Sequence, residues 1–277
     1  MKKISTKRLA KFLFSYTILI LLAVFFAFPF FWVLSTSLKT AVDVFSWPPK
    51  WIPNPPTLEN YQMVLKKLPI LRYFLNTLII TGMGILFNVV LAALAAYPLA
   101  RLNFKGRNLI FAIILLPMMI PMQGGLIVNF ITIIKLHLYD TFLAVVLPGA
   151  VSIFGIFLMR QHYQSVPKEL EDAARIDGCN EFQLWWKIML PMVRPAITAL
   201  AIFSFAAYWN AFLWPLIVLQ DSNKYPLQVG LSYLSSTFEG NFRQISAGII
   251  IAAVPILVFF FFTQRFFIEG YQGALKQ

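Results

Sequence analysis

Long apolar runs without a single charge recur along this chain from end to end, and they restrict its fold more than any other feature. A run of about 18 such residues or more is long enough to cross the hydrocarbon core of a bilayer as a helix. Six runs qualify, at residues 13–34, 74–100, 109–133, 141–159, 195–219 and 246–263. Composition agrees: 59% of the 277 residues are hydrophobic and only 12% charged, where soluble domains carry about a quarter. The sequence therefore predicts an all-α, polytopic membrane protein. Its six transmembrane helices would form a single domain over residues 1–277, multi-pass in the cell membrane, with lipid as the main neighbour.

The net charge of +12 arises from 23 basic and 11 acidic residues. In a soluble protein that balance would suggest nucleic acid. In a membrane protein, basic residues gather in cytoplasmic loops, where they set orientation and meet anionic headgroups, so no nucleic-acid partner is expected. Placing both termini in the cytoplasm puts the larger share inside. Lys2, Lys3, Lys7, Arg8 and Lys11 precede the first span, Arg101, Lys105 and Arg107 follow the second, and a basic loop follows the fourth. The first span exceeds the apolar core of a signal peptide and is expected to stay as an anchor. The outer loop 35–73 carries Trp47 and Trp51 among Pro48, Pro49, Pro53, Pro55 and Pro56, suited to the membrane interface. Leu58, Tyr61, Val64, Leu65 and Leu68 then follow with the spacing of a short helix lying on the bilayer. In the second span, Ala92, Ala96 and Ala100 offer a small-residue face that lets another helix approach.

What is missing narrows the function. A lone cysteine, Cys179, and two scattered histidines, His137 and His162, predict no metal site. With no Walker A pattern, the chain is not expected to bind a nucleotide itself, nor any other cofactor. The six runs hold no ionisable side chain on which a proton could rest, which disfavours proton-coupled carriers and pumps. They also offer no nucleophile with a base beside it, so no catalytic residue and no enzymatic activity are expected. A sodium-coupled secondary carrier using backbone carbonyls remains open, as does a non-transporting scaffold or insertase. The energy for any transport is expected from outside the membrane.

The loop 165–191 between the fourth and fifth spans carries the most information. Ser165 and Pro167 are helix-start residues, Glu169, Glu171 and Asp172 place acids in the first turns, and Gly178 is a stop, which predicts a helix over 167–177. Leu170, Ala173 and Ala174 share one face, small enough for another protein to come close. Asn180 and Gln183 resemble the cap of a second helix, along which Phe182, Trp185, Trp186 and Met189 form a bulky stripe.

These residues resemble the motif of permease subunits of binding-protein-dependent ABC importers: Glu-Ala-Ala, three residues, Gly, nine residues, Ile, any residue, Leu-Pro. Asp172, Ala173, Ala174, Gly178, Ile188, Leu190 and Pro191 stand at those spacings, with Asp172 where the family usually has Glu and Glu171 beside it as a longer acid. Asn76 to Leu78, Pro167 to Gly178 and Tyr208 to Leu216 are similar to the carbohydrate-uptake branch, including maltose-type second permeases and raffinose or multiple-sugar permeases. The resemblance implies that Glu171, Asp172, Ala173, Ala174, Arg175, Asp177 and Gly178 form a coupling helix seated in a groove of a cytoplasmic ATPase. It implies as partners a second permease subunit, two ATPase subunits carrying ATP and Mg²⁺, and an extracytoplasmic sugar-binding protein met by the loop 220–245. By the same resemblance the tail 269–277 touches the ATPases. The implied cargo is an oligosaccharide, taken first as raffinose-type, with maltodextrins and a glycerol phosphate left open.

Ser204, Tyr208, Trp209 and Asn210 lie near the middle of the fifth span, and Asn88 and Asn129 are polar within the second and third. Sugars stack on aromatic rings and bond to amides, so these residues suit a carbohydrate corridor. In a chain that is 16% aromatic they suit helix packing equally, and both readings stand at this point.

Overall fold

The computed structural model describes residues 6–238 and 240–274. Among them every regular element is helical. Two compact units emerge, Met1–Pro69 with Leu231–Ile256, and Ile70–Gly230 with Leu257–Gln277.

In the first unit, helix α1 (Thr6–Ser37) is apolar all round, and its side chains from Phe12 to Phe31 are exposed in the isolated chain, as suits a helix solvated by lipid. Its last turn is anchored instead. Ser35, Thr36 and Ser37 are buried, Ser37 Oγ shares a 2.7 Å hydrogen bond with Tyr61 Oη, and Asn60 Nδ2 donates to the carbonyls of Ser37 (2.8 Å) and Lys39 (2.9 Å). The five residues spaced for one face are divided. Around helix α2 (Glu59–Lys67), Val64 and Leu68 turn inward together with Asn60, while Leu65 and the capping residue Leu58 are exposed. The carbonyls freed where α1 ends need donors, and Asn60 supplies two of them.

The second unit is built on α3 (Ile70–Arg101), followed by α4 (Arg107–Leu115), α5 (Leu126–Lys135), α6 (Phe142–Val146), α7 (Ile153–Ser165), α8 (Lys168–Ile176), α9 (Glu181–Leu184), α10 (Arg194–Trp209) and α11 (Leu213–Val218). A last helix, α12 (Phe242–Ala274), runs through both units. The small face of α3 performs as expected. Ala92, Ala96 and Ala100 are buried, and Gly155 of α7 comes so near that a Cβ there would sit 3.1 Å from the Ala92 Cβ and 3.0 Å from Leu200 of α10. Small side chains let α3, α7 and α10 approach closely enough to form one core.

Not every apolar run is a straight helix. The stretches Phe12–Ser37, Ile70–Arg101 and Phe242–Phe262 are long and apolar enough to cross a membrane, and two bent pairs qualify if each counts as one span. The run 109–133, expected as one span, instead breaks into α4, two 3₁₀ turns (Leu116–Met119 and Met122–Gly125) and α5. Pro117 and Pro121 lack an N–H, and Gly124 and Gly125 weaken helix further. The run 141–159 bends by 51° after the 3₁₀ turn Leu147–Gly149, and the run 195–219 loses helix between Trp209 and Leu213. The segment Glu181–Met192 meets α10 at 75°. The side chains of the tail 269–277 and of Lys2, Lys3, Lys7, Arg8 and Lys11 lie outside the described residues.

Candidate functional site

The site is a short helix and its moorings. Pro167 is the residue before α8, and Glu169 and Glu171 lie in the first turn, where the positive end of the helix dipole favours acids. At the far end Gly178 adopts φ +81°, a left-handed conformation that glycine enters without steric cost, and its N–H donates to the Arg175 carbonyl at 3.1 Å. Asn180 Oδ1 then accepts from the Gln183 N–H (2.9 Å) while Gln183 Oε1 accepts from the Asn180 N–H (3.1 Å), the reciprocal cap expected for α9. The bulky stripe after it is divided. A turn of π-helix, Trp185–Met189, changes the spacing, so Trp185 and Met189 are buried while Phe182 and Trp186 are exposed.

Around α8 the seven motif residues separate into two sets. Ala174 packs into the core with Tyr97, Tyr163, Leu184 and Trp185. Glu171 is only 4% exposed and is ion-paired through Oε1 with the Nε of Arg101, at the end of α3. Arg175 reaches Glu171 (3.4 Å), Asp172 (3.4 Å) and Glu181 (3.1 Å), and Tyr97 Oη donates to Glu181 Oε2 at 2.8 Å. The hydrogen bond from Arg175 to Glu181 raises the Arg175 pKa above its usual value. Asp172, Ala173, Asp177 and Gly178 remain exposed, and with them two apolar residues, Leu170 and Ile176, the latter 86% exposed. Leu170, Ala173 and Ile176 recur every third residue, so one face of α8 is an apolar strip flanked by Asp172 and Asp177.

Sequence reasoning missed three members of this network. Arg101 counted only as a marker of orientation, and Tyr97 and Glu181 carried no reading at all. The available signal was the i, i+4 spacing of Tyr97 and Arg101 at the end of a span, which puts an aromatic hydroxyl and a cation on one face.

The corridor candidates do not form one surface. Tyr208 Oη donates to the Val146 carbonyl (3.1 Å), Asn88 Nδ2 to that of Gly149 (3.0 Å), and Trp214 Nε1 to that of Ala144 (3.0 Å). These three donors satisfy carbonyls released where α6 gives way to the 3₁₀ turn, which apolar surroundings require. Ser204 is buried on α10, and Trp209 is buried with its ring stacked on Phe205 and edge-on to Phe74. Asn210 is exposed at the end of α10, donating to the Ala206 carbonyl at 2.8 Å, and Asn129 is half-buried on α5 beside Gly125. Among the described residues no group of three or more His, Cys, Asp or Glu side chains is placed to hold a metal ion.

Residues 88–267 match the family described as the binding-protein-dependent transport system inner membrane component. The chain belongs to that family. The permease is 34% identical over 253 residues to the arabinooligosaccharides transport system permease protein AraQ of Bacillus subtilis (strain 168), covering 90% of each chain. It is 30% identical over 261 residues to the lactose transport system permease protein LacG of Rhizobium radiobacter, covering 94% of this chain and 95% of that one. Its fold matches a chain of a bacterial ABC transporter that imports the acidic polysaccharide alginate, with a TM-score of 0.83 and 23% identity over 96% of this chain and all of that one. The permease is thus a multi-pass component of the cell membrane and a transport subunit, not an enzyme. Nothing in these relationships supports the sodium-coupled carrier left open by the sequence.

Proposed function

We propose that this permease is one of two membrane-spanning halves of an ATP-driven importer of oligosaccharides, crossing the membrane six times with both termini in the cytoplasm. In this reading α8 is the cytoplasmic coupling helix. Two partner ATPase subunits bind ATP and Mg²⁺, and an extracytoplasmic binding protein delivers the sugar to the loop 220–245. The likeness to permeases named for arabinooligosaccharides and lactose supports a sugar cargo. Arabinotriose is accordingly the first cargo to try, with raffinose second.

The observation that carries the reading is the division of α8. Ala174 and Glu171 hold the helix to the body of the permease, while Leu170, Ala173 and Ile176 stay uncovered with Asp172 and Asp177 beside them. A strip with one alanine and two larger apolar residues fits a groove whose rim carries cations. Asp172, with 71% of its side chain exposed, is the acid placed to meet such a cation, and Glu171 is not. Within the corridor, Asn210 keeps an exposed amide and is the best placed sugar contact. Asn88 and Tyr208 serve the helix break.

The test is reconstitution of the permease with its partners in vesicles. Arabinotriose uptake should require ATP, and Ala173→Arg should abolish it while the chain stays in the membrane. Asn210→Ala should lower uptake with the ATPases still bound. Uptake at wild-type rates in Ala173→Arg would refute the assignment of α8.

A further inference from the structure

A helix that receives a push must pass it on, and α8 has an unusually specific attachment for doing so. Its apolar grip on the core through Ala174 is small and directionless, and such a contact can slide. Its polar grip is not of that kind. Glu171 and Arg175, one turn apart on α8, face Arg101 and, through Glu181, Tyr97, which are one turn apart on α3. The Glu171 and Arg101 side chains are each only 5% exposed. Glu171 cannot leave Arg101 without stranding the buried Arg101 guanidinium, so the pair moves as one body. Further along the same α3, the backbone at Gly84 lies directly under the ring of Tyr208, and Asn88 holds the Gly149 carbonyl at the bend before α7. One continuous helix, with Pro98 inside it, therefore joins the mooring of α8 to the break in the bundle.

We infer that Arg101 and Tyr97 are positioning residues that make α3 the shaft of the transporter: displacement of α8 by the ATPases is carried through Glu171–Arg101 and Glu181–Tyr97 into α3 and on to the bend at Gly149. This deepens the proposed function and rests on its reading of α8 as the docked helix. Arg101 and Tyr97 touch neither the ATPase nor the sugar in this scheme. Their role is to prevent α8 from moving alone.

The test is amide hydrogen exchange on the complete complex, with and without the non-hydrolysable nucleotide AMP-PNP and Mg²⁺. In the wild type the nucleotide should change exchange by at least fivefold both in α8 and in the part of α3 around Asn88. In Arg101→Met the α8 change should persist and the α3 change should fall below twofold, with Arg101→Lys recovering part of it. Tyr97→Phe removes a single hydroxyl, should reduce the α3 change about twofold, and decides the matter if Arg101→Met does not assemble. An α3 response in Tyr97→Phe and Arg101→Met equal to that of the wild type overturns the shaft. So does faster exchange of both helices in Tyr97→Phe without nucleotide, which would mark the network as mere support of the fold. A wild-type complex whose α8 does not respond to nucleotide overturns the docking reading itself, and is distinguished from the other failures by that control.

Discussion

At Gly84 the ring of Tyr208 lies so close that an added Cβ would collide with it, while a Cβ on Gly82, two residues earlier, would meet nothing within 4 Å. Gly84→Ala should therefore cost about 1–3 kcal/mol through overpacking, and Gly82→Ala should cost almost nothing. Thermal unfolding of the purified variants in detergent checks the contrast. Asp140 offers a second residue-level test. It adopts φ +60° and accepts hydrogen bonds from the N–H groups of Gln220 (2.9 Å) and Asp221 (3.1 Å) beside the Lys224 ammonium. Burial opposes its charge, but Lys224 and the two amides outweigh burial and hold the carboxyl below its usual pKa. A carboxylate with a lowered folded-state pKa stabilises the fold above its unfolded pKa of about 3.9, and that contribution fades as the pH falls through the lower, folded value. Unfolding midpoints of the wild type and Asp140→Asn should therefore differ at pH 7 and converge as the pH drops below 4. A constant difference across that range would remove the electrostatic explanation.

Among the helices, α8 separates stability from docking. Ala173 is exposed and Ala174 is buried against Tyr97 and Trp185. Ala173→Arg should leave the unfolding midpoint unchanged and weaken ATPase binding at least tenfold, whereas Ala174→Arg should destabilise the permease before any partner is added. Equal effects on stability would contradict the two-faced arrangement. Much of this helix was legible in the sequence, because its signals are local: acids in the first turn, Gly178 where the chain must turn left-handed, and Asn180 with Gln183 in a reciprocal cap. The inward turn of Glu171 was not legible, since its partner Arg101 lies 70 residues away. The helix breaks were half legible. Apolar content alone marks a run as membrane-embedded, but Pro117, Pro121 and the paired glycines decide where the backbone leaves the helix. Other side chains, such as Tyr208 and Asn88, decide whether the carbonyls so released can be tolerated. The same limit explains α2, where no local spacing announces that Asn60 is buried to serve the carbonyls at the end of α1.

For the permease as a whole, the long apolar runs hold no ionised side chain, and in the proposed reading transport is driven through a mechanical connection. Moving a two-state bundle from 1:99 to 99:1 takes about 5.5 kcal/mol of differential interaction. That is within reach of one well-fitted helix with charged flanks. The direct measurement is site-specific photocrosslinking in the intact complex from a benzophenone side chain placed at Ile176, which is 86% exposed in the isolated chain. The account predicts a covalent product with an ATPase subunit in high yield, diminished when Ala173→Arg is added. Labelling of lipid alone, or no product at all, would contradict it.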